Sequence, residues 1–213
     1  MGDYLQYWVD HTDRFGAALS QHVALVGVTL AWSLLLSAVI TLLIMRSRRA
    51  EHLALQVMSA VYSIPSLALF SLLIPATGLG FTTAVVVMVA YNQFLLVRNI
   101  VEGMNEVDRD VVEAAIGMGM SPWQVLVRVK LPLAAPTIFA GIRLAVISTI
   151  GIATIAATIN AGGLGTVLFS GLRTMNSYKI LGGTLLCALV AFVADTLLKL
   201  VETLLRKWTV HTL

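Results

Sequence analysis

Residues 23–45 read VALVGVTLAWSLLLSAVITLLIM, a run that contains no charged side chain. A helix needs about 20 predominantly apolar residues to cross the hydrocarbon core of a bilayer, because each residue adds about 1.5 Å along the helix axis. The run is also longer than the usual strands of soluble proteins. It is therefore predicted to be a membrane-spanning helix.

Four further stretches have the same character and carry at most one charge each: residues 53–75, 81–97, 133–159 and 180–198. Pro65 interrupts the first of these and predicts a kink. The chain of 213 residues is 58% hydrophobic and 12% charged, which is about half the charged fraction of a soluble domain. We therefore predict an all-α fold, a polytopic membrane bundle of five transmembrane helices whose outer surface is covered by lipid.

The basic residues of the connections and of the terminal segments indicate an orientation, because cytoplasmic loops carry an excess of Lys and Arg. Nine lie on one predicted side and three on the other. The nine are Arg46, Arg48, Arg49, Arg98, Arg109, Arg128, Lys130, Arg206 and Lys207, and the three are Arg14, Arg173 and Lys179. This predicts an extracytoplasmic N-terminal segment over residues 1–21, a transmembrane domain over 22–205 and a cytoplasmic tail over 206–213. Residues 1–21 also lack the pattern of a cleavable signal peptide.

The composition gives no support to catalysis or nucleic-acid binding. The basic residues are scattered rather than gathered on one helix or face, as a nucleic-acid site requires. A Gly-rich phosphate loop, a carboxylate pair and a histidine cluster are all missing, and Cys187 is the only cysteine. We therefore predict no catalytic residue, metal site or cofactor on this chain, and no enzymatic activity.

The predicted cytoplasmic connection, residues 98–132, is long for a compact protein. Asp110 followed by Glu113 resembles a capping box that opens one short helix, which Gly119 or Gly117 can end. Ser121 as the cap, Pro122 in the first turn and Gln124 reaching back are predicted to open a second helix. The connection is predicted to close at Pro132, before the fourth span.

The spacing within this connection resembles the signature EAA-x3-G-x9-I-x-LP of ABC-importer permeases. The matching positions are Glu113, Ala114, Ala115, Gly119, Leu131 and Pro132, with Val129 in place of Ile. The resemblance implies that the segment is a coupling helix docking on an ABC ATPase subunit dimer, which would hold ATP and Mg²⁺. It further implies a second permease copy or a paralogue, an extracytoplasmic substrate-binding protein, and a multi-pass location in a bacterial or archaeal cell membrane.

A narrower resemblance is to permeases of osmoprotectant importers, which move glycine betaine, carnitine and choline. It is carried by IPSLALF at 64–70, GMGM at 117–120, AGIR at 140–143 and AGGLG at 161–165, with Asn160 where a glycine is usual. Three alternatives stay open. They are a methionine-type or other amino-acid ABC permease, a secondary transporter and an intramembrane enzyme. A secondary transporter needs an ion-coupling carboxylate at the membrane midplane, and Asp195, away from the centre, is the one carboxylate within a predicted span.

Several polar residues within the spans are candidates for the substrate pathway. Aromatic faces attract quaternary ammonium groups, so Tyr62 and Tyr91 are predicted to contact substrate, with Asn92 and Gln93 beside them. Hydrogen bonding between helices would explain the same residues. Arg143 could bind a substrate carboxylate, although its position favours a structural role.

Two further features lie at the end of the last apolar run and in the outer loop. Asp195, Lys199, Glu202 and Arg206 recur at helical spacing and predict a salt-bridge ladder. The outer loop contains Gly162, Gly163 and Gly165, followed by a short helix predicted at 166–172. By resemblance this loop meets the binding protein or gates the outer mouth, and a plain connector is the alternative.

Overall fold

The computed structural model describes residues 2–210, with the side chains of residue 4 and residues 6–204, and this part is helical without any strand. Its helices are α1 (Gly2–Asp10), α2 (Thr12–Ile44), α3 (Arg48–Tyr62), α4 (Ser66–Thr77), α5 (Phe81–Glu106), α6 (Arg109–Gly117), α7 (Pro122–Val125), α8 (Leu131–Ala156), α9 (Leu164–Arg173) and α10 (Ser177–Val210). The end of the predicted tail at 211–213, and the side chains of Arg206 and Lys207, lie outside the described residues.

Four of the described helical segments are long and apolar enough to cross a membrane: α2, α5, residues 122–159 and α10. Within these four segments, each predicted span is the apolar part of a longer helix, because a polar helix end can project into water. The bent pair α3 and α4 adds a fifth crossing if both helices belong to one span. The all-α class is confirmed, and the number of crossings is four or five.

The kinked but continuous helix expected over residues 53–75 is wrong, because two separate helices occupy this stretch. The chain breaks between α3 and α4, and the two helices meet at 97°. Pro65 lacks an N–H for the helical ladder, and its ring drives the preceding residue away from the helical conformation. Pro65 consequently caps the start of α4 with a ψ of 134°. A proline predicted to bend a helix therefore ends one helix and begins another.

Pro132 shows the opposite behaviour, because it does not close the segment before the fourth span. Residues 122–156 form one unbroken helix in which Leu126–Lys130 make a π-helical turn. The N–H of Leu131 reaches back five residues to the carbonyl of Leu126. A wider turn of this kind accommodates a proline whose ring would otherwise clash with the preceding turn.

Helix α5 lies at the centre of the bundle and packs against α2, α3, α4 and α8. Phe70, Met88 and Leu25 are fully buried around it. Large apolar side chains cover the outer faces instead; Phe192 is 69% and Leu72 68% exposed. A soluble protein would bury such residues, so this surface suits lipid as its solvent.

A smaller apolar cluster joins α2, α9 and α10 at the end of the bundle opposite the α6–α7 segment. Its buried members include Phe15, Leu164 and Val167. Helix α1 packs against α10, and Trp8 Nε1 donates a hydrogen bond to the carbonyl of Tyr178 at 2.9 Å. This cluster fixes the position of the short helix α9.

Candidate functional site

The α6–α7 segment begins with a cap that differs from the predicted one. The Asp108 side chain accepts a hydrogen bond from the backbone N–H of Asp110 at 2.9 Å, and Asp108 is the N-cap. The capping box expected between Asp110 and Glu113 is therefore wrong. Asp110 lies in the first turn, where its negative charge still favours the positive end of the helix dipole.

Gly119 ends α6 through a Schellman motif. Its own N–H donates to the carbonyl of Ile116 at 2.9 Å, and the N–H of Met120 donates to that of Ala115 at 3.2 Å. The motif requires a left-handed residue after the cap, and Gly119 has φ +83°. A Cβ built there would meet nothing within 4 Å. The signature glycine is thus needed in this chain for its backbone conformation and not for space.

The predicted opening of the second helix is confirmed in atomic detail. The N–H of Gln124 donates to Ser121 Oγ at 3.3 Å, and the N–H of Ser121 donates to Gln124 Oε1 at 2.8 Å. Pro122 occupies the first turn, where a missing N–H has no consequence. The chain therefore turns sharply between α6 and α7, with both helix ends satisfied.

The outward face of this segment is unexpectedly apolar. Ile116 is 58%, Met118 73% and Trp123 65% exposed. Glu113 and Ala114 are exposed beside them, and the five residues together are called the coupling surface below. The sequence analysis did not single out the three large residues, although bulky apolar side chains in a connection outside the predicted spans were the available signal.

The other signature residues lie elsewhere. Ala115 is 2% exposed and packs inside the chain. Leu131 and Pro132 belong to α8, beyond the π-helical turn. An open groove of about 770 Å³ separates α6 and α7 from the end of α2, with Leu42, Met45 and Trp123 among its walls. The signature thus spans one exposed surface, one buried contact and the start of a long helix.

Asn92 and Gln93 face the helices that flank α5. Asn92 Nδ2 donates to Thr149 Oγ1 at 2.8 Å on α8 and to Ser33 Oγ at 3.1 Å on α2. Gln93 Nε2 donates to the carbonyl of Ser33 on α2 at 3.4 Å and to that of Val89, within α5 itself, at 3.1 Å. Asn92 is 1% exposed. These contacts join three helices, as interhelical hydrogen bonding requires, and a substrate role for the two amides stays a prediction.

Tyr62 and Tyr91 lie together, as expected, at the break between α3 and α4. Their ring centroids are 5.6 Å apart, and Tyr62 also contacts Phe94 at 5.1 Å. The Tyr91 hydroxyl donates to the carbonyl of Ile64 beside the break. Tyr91 is buried and Tyr62 is partly exposed. We call Tyr62, Tyr91 and Phe94 the aromatic group; Phe94 was not predicted, because only the fold brings it beside Tyr62.

Arg143 is held in an ion pair between helices. Its Nε lies 2.8 Å from Asp195 Oδ1, and its Nη1 lies 3.9 Å from Glu202 Oε2. Lys199 Nζ lies 2.8 Å from Asp195 Oδ2. Two acidic residues of the expected ladder therefore turn to α8, and Arg206 lies outside the described side chains. The contacts match the structural alternative for Arg143, and its role toward substrate stays a prediction.

The outer-loop glycines pack against the bundle. Gly162 and Gly163 have φ of +83° and +80°, and the N–H of Gly163 donates to Gln21 Oε1 on α2 at 3.2 Å. Gly165 is buried where α9 crosses α8, so close that a Cβ would overlap the carbonyl oxygen of Thr154. Asn160 has φ +64°, a left-handed conformation that Asn tolerates, which explains how it substitutes for the usual glycine.

Comparison with known proteins gives matches over most of the chain. Residues 27–210 match the family described as "Binding-protein-dependent transport system inner membrane component". The osmoprotectant import permease protein OsmW of Salmonella typhimurium is 33% identical over 208 residues, which cover 95% of this chain and 97% of that protein.

Two further matches cover less of the related protein or have a lower sequence identity. The ergothioneine transport permease/ergothioneine binding protein EgtU of Helicobacter pylori is 42% identical over 147 residues, which are 69% of this chain and 27% of that longer protein. The chain therefore spans about a quarter of this relative's length. An inward-facing structure of the MetNI methionine ABC transporter aligns with TM-score 0.79 at 18% identity, over 87% of this chain and 93% of that one. At this identity the likeness shows the fold alone.

Proposed function

The chain belongs to the family of binding-protein-dependent transport system inner membrane components, and we propose that it is the permease subunit of an ATP-driven importer of quaternary ammonium osmoprotectants. The observation that carries the proposal is the match to an osmoprotectant import permease over nearly the full length of both proteins. Betaine, carnitine and choline are the solutes that the sequence resemblance implies. Methionine or another amino acid is the alternative cargo.

The coupling surface supports a partner at the cytoplasmic end. Ile116, Met118 and Trp123 are large apolar side chains that are exposed outside the predicted spans, as at surfaces that bind a partner. We infer that this surface docks on a separate ATPase subunit, which binds ATP and Mg²⁺. Closure of the ATPase dimer would then move α6 and α7, and with them α8.

Assembly and orientation follow the same proposal. Four or five crossings are few for a pore, so we propose that two permease copies, or this chain and a paralogue, enclose the pathway. The cytoplasmic end is proposed to be the one carrying the α6–α7 segment, with the N-terminus outside. Gly162, Gly163 and Gly165 then lie at the outer end, where a binding protein would deliver the solute.

The aromatic group is the proposed contact for the solute's quaternary ammonium. Tyr62 exposes 36% of its surface beside buried Tyr91, so part of its side chain is accessible. Attraction between the cation and an aromatic face is modest at such an exposed site, which suits a transporter that must release its cargo. Arg98 Cζ lies 5.7 Å from the Phe94 centroid, so the Phe94 ring is already engaged by a cation.

Uptake into proteoliposomes containing all subunits tests the proposal. We expect ATP-dependent, saturable accumulation of radiolabelled betaine, carnitine or choline that stops when the binding protein is omitted. Tyr62→Ala should reduce uptake several-fold, while Phe192→Ala, a lipid-facing aromatic control, should leave it unchanged. Methionine uptake that excess betaine, carnitine and choline fail to inhibit would refute the osmoprotectant proposal and leave the permease assignment intact.

Cysteine labelling tests the orientation separately. In a Cys187→Ala background, Ser177→Cys should react with an impermeant thiol reagent added outside intact cells. Asp110→Cys, at the other end of the bundle, should react only after the membrane is opened. The reverse pattern would invert the proposed topology.

A further inference from the structure

A small cleft lies at the end of the bundle where α2, α9 and α10 meet, on the side proposed to be outside. This open cleft, called the outer cleft below, has a volume of about 290 Å³, and its polar walls are Arg14, Gln21, Thr166, Ser170 and Lys179. Arg14 and Lys179 are two of the three basic residues predicted for that side. The fold brings them to one site, although they are 165 residues apart in the sequence.

The polar groups of the outer cleft are left mainly as hydrogen-bond donors. Gln21 Oε1 already accepts from the N–H of Gly163 at 3.2 Å, which leaves the Gln21 amide N–H groups free. Lys179 Nζ donates to Ser170 Oγ at 3.2 Å and retains two further N–H groups. Ser170 keeps its hydroxyl hydrogen. A cleft with these free N–H and O–H groups is complementary to a ligand that accepts hydrogen bonds.

The charge of the outer cleft is also unbalanced. Among the side chains that the structure describes, Arg14 and Lys179 have no carboxylate within 4.0 Å. Asp10 and Asp13, the acidic residues closest to Arg14 in the sequence, do not line the cleft. Two cations and several donors around one cavity favour an anion that can accept several hydrogen bonds.

We propose that the outer cleft binds the carboxylate of a zwitterionic quaternary ammonium solute, and so favours betaine and carnitine over choline. This rests on the proposed function, because it specifies which members of the osmoprotectant class the chain accepts. Betaine and carnitine carry a carboxylate at the end opposite their quaternary nitrogen, whereas choline carries a hydroxyl and a net positive charge. The two cations therefore attract the first kind of solute and repel the second.

The outer cleft is connected to the outer-loop glycines through Gln21. The same side chain that offers its amide N–H groups to the cleft holds the N–H of Gly163 through its oxygen, and Thr166 Oγ1 donates to the Gly163 carbonyl at 2.7 Å. A carboxylate bound here would contact two side chains that hold the glycine loop. Solute binding and the position of this loop are thereby coupled.

The test compares uptake of betaine and choline by the complete transporter. Arg14→Gln and Lys179→Gln should each raise the KM for betaine about fivefold, the effect of losing about 1 kcal/mol from an exposed charge pair. The KM for choline should stay unchanged or fall, because one repulsive charge is gone. Arg173→Gln removes the third outer cation, which does not line the cleft, and should change neither value.

Two results would overturn the proposal. Equal losses for betaine and choline would show that the cations serve a different contact, such as an acidic side chain of the binding protein. Unchanged KM values in both cleft variants would show that no carboxylate binds there. The wild-type transporter is the control for the proposed function itself, since failure to accumulate either solute would refute that function whatever the variants do.

A second measurement tests the outer cleft without relying on transport. Ser170→Cys in a Cys187→Ala background is treated with an anionic and a cationic methanethiosulfonate reagent of similar size. We expect the anionic reagent to react several-fold faster, and Arg14→Gln to reduce that ratio. Equal rates for the two reagents, with no effect of Arg14→Gln, would contradict an anion-binding cleft.

Discussion

Replacing Gly119 separates two reasons why a glycine stands at that point of the coupling segment. Its φ of +83° is a left-handed conformation, which costs an alanine roughly 1–2 kcal/mol. A Cβ there meets nothing within 4 Å in this chain, so Gly119→Ala introduces backbone strain without a clash. Asparagine tolerates the left-handed conformation far better, so Gly119→Asn adds a side chain with little strain.

The backbone strain in Gly119→Ala lowers the population of the Schellman turn. A penalty of about 1–2 kcal/mol lowers the population of the Schellman turn by roughly 5- to 30-fold relative to competing conformations. Gly117→Ala is the matched control two residues away. It lies in the last turn of α6 with nothing within 4 Å of its Cβ, and alanine there should stabilise the helix by up to about 1 kcal/mol.

The assay is ATP-dependent solute uptake and ATP hydrolysis in proteoliposomes with all subunits. We expect Gly119→Ala to lower uptake per ATP hydrolysed, and Gly117→Ala to match the wild type. Gly119→Asn should restore most of the uptake if the backbone conformation is what matters. A defect as large for Asn as for Ala would show that the partner needs the empty space instead, and normal uptake in the Ala variant would refute the strain argument.

Three other substitutions test the packing of the bundle. Gly165→Ala should destabilise the protein by about 1–3 kcal/mol or more, because its Cβ overlaps the Thr154 carbonyl; thermal unfolding in detergent measures this, with Gly151→Ala, which has open space, as the unaffected control. Asp195→Asn should lower the unfolding temperature by weakening the ion pair with Arg143. The double variant Asp195→Leu with Arg143→Met should recover much of that loss, because neither charge is left buried without a partner. A double variant that unfolds at the same temperature as Asp195→Asn would contradict this explanation. Asn160→Gly should be neutral or stabilising at φ +64°, while Asn160→Val should destabilise, and equal stability of the two would show that the conformation is not required.

The sequence predicted best those features that depend on neighbouring residues alone. A single run of apolar residues such as 23–45 is stable in lipid as a helix, since a helix satisfies the hydrogen bonds of its own backbone. The capping box at Ser121 was equally local, because its four hydrogen-bonding groups lie within four residues. The end of α6 at Gly119 follows from the same kind of signal.

The sequence was less informative about the effect of prolines and about side-chain contacts between different helices. Pro65 and Pro132 both lack an N–H, yet one breaks the chain by 97° and the other lies in an unbroken helix. The surroundings choose between these outcomes, and a single sequence does not contain them. The pairing of Arg143 with Asp195, and the meeting of Phe94 with Tyr62, likewise depend on which helix faces become neighbours.

The uninterrupted helix from Pro122 to Ile159 makes the coupling surface one end of a lever. Its 38 residues correspond to a rod about 57 Å long. A tilt of about 10° around the middle of such a rod displaces each end by roughly 5 Å, in opposite directions. A flexible loop between Trp123 and α8 would absorb that motion. The regular hydrogen bonding of the rod is altered at the wide turn of Leu126–Lys130 and at Pro136 inside α8, so the stiffness at these points sets how much of a displacement at Trp123 arrives at the outer end.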